Sequence, residues 1–275
     1  MPDFVAALPL HRRAHAADEI AFDKLRGGVV AVLGAGASAF DNAAAALEAG
    51  AAEVHLFCRR EEPQVVQPYR WLTFAGFLRH FSDLDDAWRW RFMAKILGMR
   101  EGFPQETYDR CRRHRNFILH KGEAWHGAHE DRERVRISTS KGQFSADYLI
   151  CGTGVEMDFS LRPELSGFAE NIASWADRYA PPEAERDERL GRFPYLGPDF
   201  AFKEKHPGKT PYIRNIHLFA IGSTMSQGPS GSSINAMTIA VPKLVAGITR
   251  GLFEDDLHQH WRALERYDVP QAVLR

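Results

Sequence analysis

The chain has 275 residues, 44% of them hydrophobic, and a formal net charge of −1 from 35 basic and 36 acidic side chains. That is enough apolar material for one large or two modest domains, and nothing in the mixed charge balance suggests a nucleic-acid or anionic-membrane partner. Three separated cysteines (Cys58, Cys111, Cys151) match no metal or disulfide motif and fit a reduced, cytoplasmic compartment, while the N-terminal residues carry no signal-peptide or anchor pattern.

Residues 1–27 read as an irregular lead-in segment, with a short helix expected around 17–25. The next stretch is the most informative. Val29 to Leu33 is a β-branched apolar run, Gly34 and Gly36 form a glycine turn, and a small-residue helix runs on to Gly50. A second strand, Val54 to Phe57, follows at once. This is the first βαβ unit of a dinucleotide-binding fold, and the order of strand, turn, helix and strand gives a weak glycine pattern its meaning. Gly34 permits the tight turn, Gly36 lets a pyrophosphate approach the backbone, and Ala39 takes the third, packing position. Ala37 and Ser38 open the helix, whose free N–H groups and positive dipole end suit phosphate.

The second strand runs out into Cys58-Arg59-Arg60 before any carboxylate appears. An NAD site places an acidic residue there for the ribose hydroxyls. Arginine forks instead match a 2′-phosphate, so NADP is favoured over NAD. The plain alternative is that Arg59 and Arg60 are solvated and pair with Glu61 and Glu62.

From residue 69 to 114 a helical insertion is expected. Phe74, Phe77, Leu78 and Phe81 fit one helix face, Trp88, Phe92 and Ile96 another, and the acids from Asp83 to Asp86 suit a helix cap. Pro104 to His114 reads as a further helix with proline in its first turn. Segments 116–120, 134–139 and 144–151 read as strands, with Lys141-Gly142 as a hairpin turn between the last two. A proline-rich excursion, 161–210, carries a short helix near 182–189. Ile216 to Ile221 is then expected as a strand, Gly222 to Gly231 as a Gly/Ser loop, 232–250 as a helix and 255–267 as an amphipathic helix. The alternation of strand and helix argues for the α/β class.

Three separated motifs now line up: Gly34-Ala-Gly-Ala-Ser-Ala39, Asp147-Tyr-Leu-Ile-Cys-Gly-Thr-Gly154, and Ile216-His-Leu-Phe-Ala-Ile-Gly-Ser223 with its following helix. In that order they resemble the flavin-containing (class B) monooxygenase-like FAD/NAD(P)-dependent oxidoreductases. The Ser-Ala ending of the first is similar to that family's NADPH motif. Cys151-Gly-Thr-Gly154 is similar to its Ala-Thr-Gly connector. The Gly222-Ser223 strand end is similar to its last FAD-contacting element.

The resemblance implies a Rossmann-like NAD(P)-binding domain of the two-dinucleotide flavoprotein type (28–154, after the 1–27 lead-in) and the C-terminal part of a FAD-binding domain (155–275). It also implies hydride transfer from NADPH to FAD, then oxygen chemistry on a small organic substrate. Gly34, Gly36, Ala37, Ser38 and Ala39 would hold the pyrophosphate of NADP, and Arg59 and Arg60 its 2′-phosphate. Thr153 and Gly154 would lie at the cofactor junction, and Gly222, Ser223 and Ser232 near FAD. No residue is assigned a catalytic role and no metal is expected.

Members of that family carry an earlier Gly-x-Gly-x-x-Gly unit for the ADP part of FAD, whereas no glycine precedes Gly27 here. Two readings follow: an oxidoreductase completed by a homo-oligomer or by a partner chain carrying the FAD domain, or a truncated or split, non-catalytic nucleotide-binding protein. In either, the helix after Ser232 is expected to leave an apolar face in need of a partner. Neither nucleic acid nor membrane is expected as one.

Overall fold

The structure is a computed structural model that describes residues 1–154 and 156–272. Val155 and residues 273–275, the two ends of the expected C-terminal part, lie outside the described residues. Two compact units form, one from Met1–Trp71 with Ile96–Glu156, the other from Leu72–Lys95 with Met157–Arg275. The expected insertion is therefore divided: Leu72–Lys95 clusters with the second unit, and Ile96 onward with the first.

The first unit holds a five-stranded parallel sheet and a three-stranded antiparallel meander. The parallel sheet is made of β1 (Arg13–His15), β2 (Val29–Leu33), β3 (Glu53–Cys58), β4 (Phe117–Lys121) and β8 (Tyr148–Cys151), in the order β1-β8-β2-β3-β4. β1 lies within the expected lead-in. It pairs with β8 from Arg13↔Leu149 to His15↔Cys151, too short a strand for alternation to reveal. The helix expected at 17–25 is reduced to a 3₁₀ turn at Phe22–Leu25.

Period-two burial builds a core on each side of the sheet. Val30, Val32, Val54, Leu56 and Ile150 pack with the alanine-rich helix α1 (Ala37–Glu48), joined by Cys111 of helix α2 (Gln105–Arg112). Ala31, Phe57, Leu149 and Cys151 face Trp125, Val135, Ile137 and Ala146 of the meander. That meander is β5 (Trp125–Asp131), β6 (Arg134–Thr139) and β7 (Gly142–Ala146). The expected single strand 144–151 is two strands in different sheets. The break falls at Asp147, whose carboxylate accepts the Val29 amide at 2.7 Å and the Arg134 guanidinium at 3.0 Å.

The second unit is mostly turns and short helices around Leu165, Ile172, Leu196, Phe202, Ile213 and Leu218. The helix Asp86–Met99, of which the residues up to Lys95 belong to this unit, is capped by the Asp85 carboxylate on the Trp88 amide at 2.8 Å. Here the aromatic register differs from the expected face. Trp88 is half-exposed, while Trp90 is buried against Trp175 and Tyr179 and donates to the Glu185 carbonyl.

The segment 216–221 is not a strand. Its pairing is an isolated bridge, His217 with Ala201, flanked by bonds between the 200–202 and 216–218 backbones, and no further strand lies beside it among the described residues. The helix expected from Ser232 begins only at Met237, as α3 (Met237–Asp255), after two 3₁₀ turns. It is followed by α4 (Leu257–Glu265).

Apolar side chains line the outside of both helices. Val241, Val245, Ile248 and Leu252 of α3 are 39–62% exposed, and Leu257, Trp261 and Leu264 of α4 are 50–63% exposed. Residues 234–255 are long and apolar enough to cross a membrane by length and composition alone. The segment nevertheless carries Pro242 and Lys243, and the Lys243 ammonium is bonded to Ser82 and Gln227, as in a packed unit.

Candidate functional site

The parallel sheet reverses its winding between β2 and β8. From β2 the chain proceeds to β3 and β4 on one side, while β8 and β1 lie on the other. In open α/β sheets the crevice beyond the carboxyl ends at such a point is where ligands bind.

The turns after β2 and β8 meet there. Gly34 has φ of 116°, and a Cβ on it would fall on the Gly152 carbonyl, 2.9 Å from its carbon. A Cβ on Gly152 would in turn lie 2.7 Å from that of Ala39. Gly34, Gly152 and Ala39 thus form one close crossing of strand, strand and helix, and Ala39 has the packing role its position suggested. Gly36 differs: an added Cβ would meet no protein atom, so the space beside it is open.

α1 starts at Ala37 with no side-chain cap. The first N–H groups of a helix have no intrahelical acceptor. Those of Ala37 and Ser38 stand at the open edge, with the Ser38 side chain exposed. Thr153 and Gly154 are exposed past the end of β8, and the Gly154 carbonyl lies 3.2 Å from His15 Nε2 at the end of β1. Burial pushes the thiol of Cys151, just before this turn, up to about 11, so it is no thiolate at neutral pH.

Arg59 and Arg60 follow the end of β3. Both are exposed and neither makes an ion pair among the described residues. The alternative pairing with Glu61 and Glu62 is not seen among the described residues: the Glu62 carboxylate is taken by Lys121 of β4 at 2.5 Å. Lys121 reaches this rim only through the pairing of β4 with β3, which no local pattern in the sequence shows.

Gly222, Ser223 and Ser232 lie in the second unit. Gly222 packs so that a Cβ would lie 2.7 Å from Leu218, and the Ser223 hydroxyl is buried and donates to the Ala220 carbonyl at 2.8 Å. Ser232 is exposed in the 3₁₀ stretch rather than at a helix N-terminus. The same unit contains a cleft of about 850 Å³ lined by Trp90, Met157, Phe159, Asp177 and Lys205 among others, a volume suited to a small organic molecule. No motif pointed to it, since its walls come from irregular backbone.

The chain is 34% identical over 274 residues to the FAD-dependent urate hydroxylase of Xanthomonas campestris pv. campestris, a match that covers 99% of this chain and 58% of that protein. The sequence similarity is thus to a flavin-dependent hydroxylase. Solved structures agree in fold. The ornithine N-hydroxylase KtzI of Kutzneria sp. 744 matches at TM-score 0.60 and 18% identity, over 88% of this chain and 60% of that one. L-lysine 6-monooxygenase of Pseudomonas syringae matches at TM-score 0.60 and 17% identity, over 91% and 61%. No family model matches. The chain thus has a Rossmann-like α/β fold shared with these flavoprotein structures and spans 58% of the length of the curated relative it matches.

Proposed function

We propose that the chain supplies the NADP-binding unit and part of the FAD-binding unit of an NADPH- and FAD-dependent, monooxygenase-type oxidoreductase acting on a small organic substrate. The observation that carries this reading is the glycine crossing at the switch point of the parallel sheet, with the open N-terminus of α1 above it. When bound, NADPH supplies a hydride to flavin, and reduced flavin supplies the oxygen chemistry.

The chain's own residues position and select. Gly34 and Gly152 bring two strand ends close enough for the backbone to line the crevice. Gly36 leaves room for the pyrophosphate, and the Ala37 and Ser38 amides face it. Ala39 seats the helix. Arg59 and Arg60 take the 2′-phosphate. Thr153 and Gly154 border the cofactor junction, and Gly222, Ser223 and Ser232 belong to the flavin side.

The exposed apolar stripe of α3 and α4 supports completion by a further FAD-domain surface, on a partner chain or on another copy. It also favours a second reading, in which the chain by itself binds nucleotide without turnover. The three buried free cysteines support a cytoplasmic setting.

The test is direct. NADPH should raise the thermal midpoint of the purified chain, since a ligand that binds the native state stabilises it. Retained FAD, or FAD taken up on addition, with oxygen-dependent NADPH consumption supports the oxidoreductase. NADPH stabilisation without flavin or consumption supports the second reading. No stabilisation by NADPH overturns both.

A further inference from the structure

The cleft of about 850 Å³ lies wholly within the second unit, and no residue assigned to the nucleotide crevice lines it. Its walls are fixed by their own hydrogen bonds. Asp177 accepts from the Ser174 amide at 2.8 Å and from the Ser174 hydroxyl at 2.7 Å. Asp187 holds the Arg189 amide at 3.0 Å. Gly191 packs so closely on Ala176 that an added Cβ would lie 3.2 Å from that of Ala176. Trp90, buried behind the wall, donates its indole N–H to the Glu185 carbonyl at 2.8 Å, and its ring backs that of Tyr179 at 5.7 Å between centroids. A ligand entering walls set beforehand meets a small ordering cost.

The charges decide what such a cleft holds. Three basic side chains line it, and each faces an acid that lines it too. Lys205 meets Asp177 at 2.9 Å and Arg186 meets Glu183 at 3.2 Å. The Asp158 carboxyl is held below the usual carboxylate range by hydrogen bonds from Ser160 and by the charge of Arg192. Asp187, a further lining acid, is taken by Arg189 at 2.6 Å. Two lining acids are left, Glu170 and Glu188. Both are exposed, and neither has a hydrogen-bond or ion-pair partner among the described residues. The uncompensated charge of the cleft is therefore negative, and it stands beside the apolar and aromatic surface of Met157, Phe159, Ile172 and Tyr179.

We propose that this cleft is a binding site for an organic cation, an ammonium group carried on an apolar or aromatic body, with Glu170 and Glu188 meeting the charge and Phe159 and Tyr179 the body. A carboxylate only accepts hydrogen bonds, so the pair favours a donor-bearing cation and repels a ligand that is itself a carboxylate. An aromatic face adds attraction for an ammonium group. Because both acids are open to water, each contributes modestly, and its contribution falls as salt is raised. Neither acid belongs to the nucleotide crevice, so the cleft and the crevice stand or fall separately.

The experiment titrates the isotope-labelled full chain with phenethylammonium, and with hydrocinnamate as a probe of similar size and opposite charge, following the Trp90 indole N–H by NMR. Phenethylammonium should bind saturably and shift that signal, and hydrocinnamate should do neither. Glu170→Gln and Glu188→Gln should each weaken the cation about two- to fivefold at low salt, the double variant more, and added salt should shrink these differences. The thermal midpoint and its response to NADPH should stay as in the wild type in all three variants. Absence of saturable phenethylammonium binding, equal binding of the two probes, or full affinity in the double variant overturns the proposal, whatever the chain does with NADPH.

Discussion

Gly34 and Gly152, at the carboxyl ends of the neighbouring strands β2 and β8, meet backbone to backbone. The Gly152 amide donates to the Leu33 carbonyl at 2.7 Å, and a Cβ on Gly34 would overlap the Gly152 carbonyl. Gly34→Ala must therefore push β2 and β8 apart and hold alanine at a φ of 116°. Overpacking alone costs about 1–3 kcal/mol, and the unfavourable dihedral adds to it. We expect a loss of at least ~2 kcal/mol in urea unfolding, within that range, together with loss of NADPH binding. A variant as stable as the wild type would show that this crossing relaxes freely.

Gly36 makes the complementary case. Its φ is −89° and the space around it is open. Gly36→Ala should leave the unfolding midpoint within about 0.5 kcal/mol, as for substitutions away from packed features, yet abolish the NADPH-induced rise in thermal midpoint. If both glycine variants lose stability equally, Gly36 has a folding role and the pyrophosphate assignment fails.

Arg59→Ala and Arg60→Ala test the other end of the ligand. Both side chains are exposed and without ion pairs among the described residues, so their removal should not alter folding. Each should weaken NADP⁺ by several-fold, and the difference should shrink as salt is raised. NAD⁺ affinity should not change. Equal losses for the two nucleotides would place the arginines away from the 2′-phosphate.

The pH dependence of stability has a defined contributor in His120. Burial holds this imidazole below the ordinary histidine value of 6.5, against the opposing pull of Glu123. As pH falls through the ordinary histidine range, the unfolded chain binds the proton first, so unfolding is favoured. This contribution to stability is present above that range and is lost as pH falls through the depressed folded value. Urea midpoints measured from pH 7.5 down to 5 should decline, and His120→Gln should flatten the decline. An unchanged slope in the variant would assign the effect to other groups.

The outer stripe of α3 and α4 should declare itself in solution. The isolated chain should bind a hydrophobic dye, and Leu252→Asp combined with Trp261→Asp should reduce that binding without lowering the thermal midpoint, because both side chains are more than half exposed. A wild-type monomer that binds no dye would mean that the stripe is covered in solution.

Where local pattern and tertiary role coincide, the sequence was legible. The β2 run, the glycine turn and the alanine-rich α1 each carry their own signal, whereas the approach of Gly152 to Gly34 and Ala39 arises only from the pairing of β8 with β2. β1 and the place of Lys121 were not legible, because β1 is too short for alternation and Lys121 reaches the rim only through pairing beside Cys58. The segment 216–221 shows the opposite case. Its composition is that of a buried strand, but strand formation needs neighbours, and here its pairing is an isolated bridge to Ala201. Propensity states what a segment suits, while pairing decides what it becomes.

Asp147 has a consequence for how the first unit opens. One of its carboxylate oxygens holds the amide that starts β2, and the other holds Arg134 of the meander. A single side chain thus acts as a rivet through two layers, and neither layer slides without stripping a charge-assisted bond from the other. The Val29 amide should therefore exchange its hydrogen only in step with the meander, reporting at one position on the joint opening of both sheets.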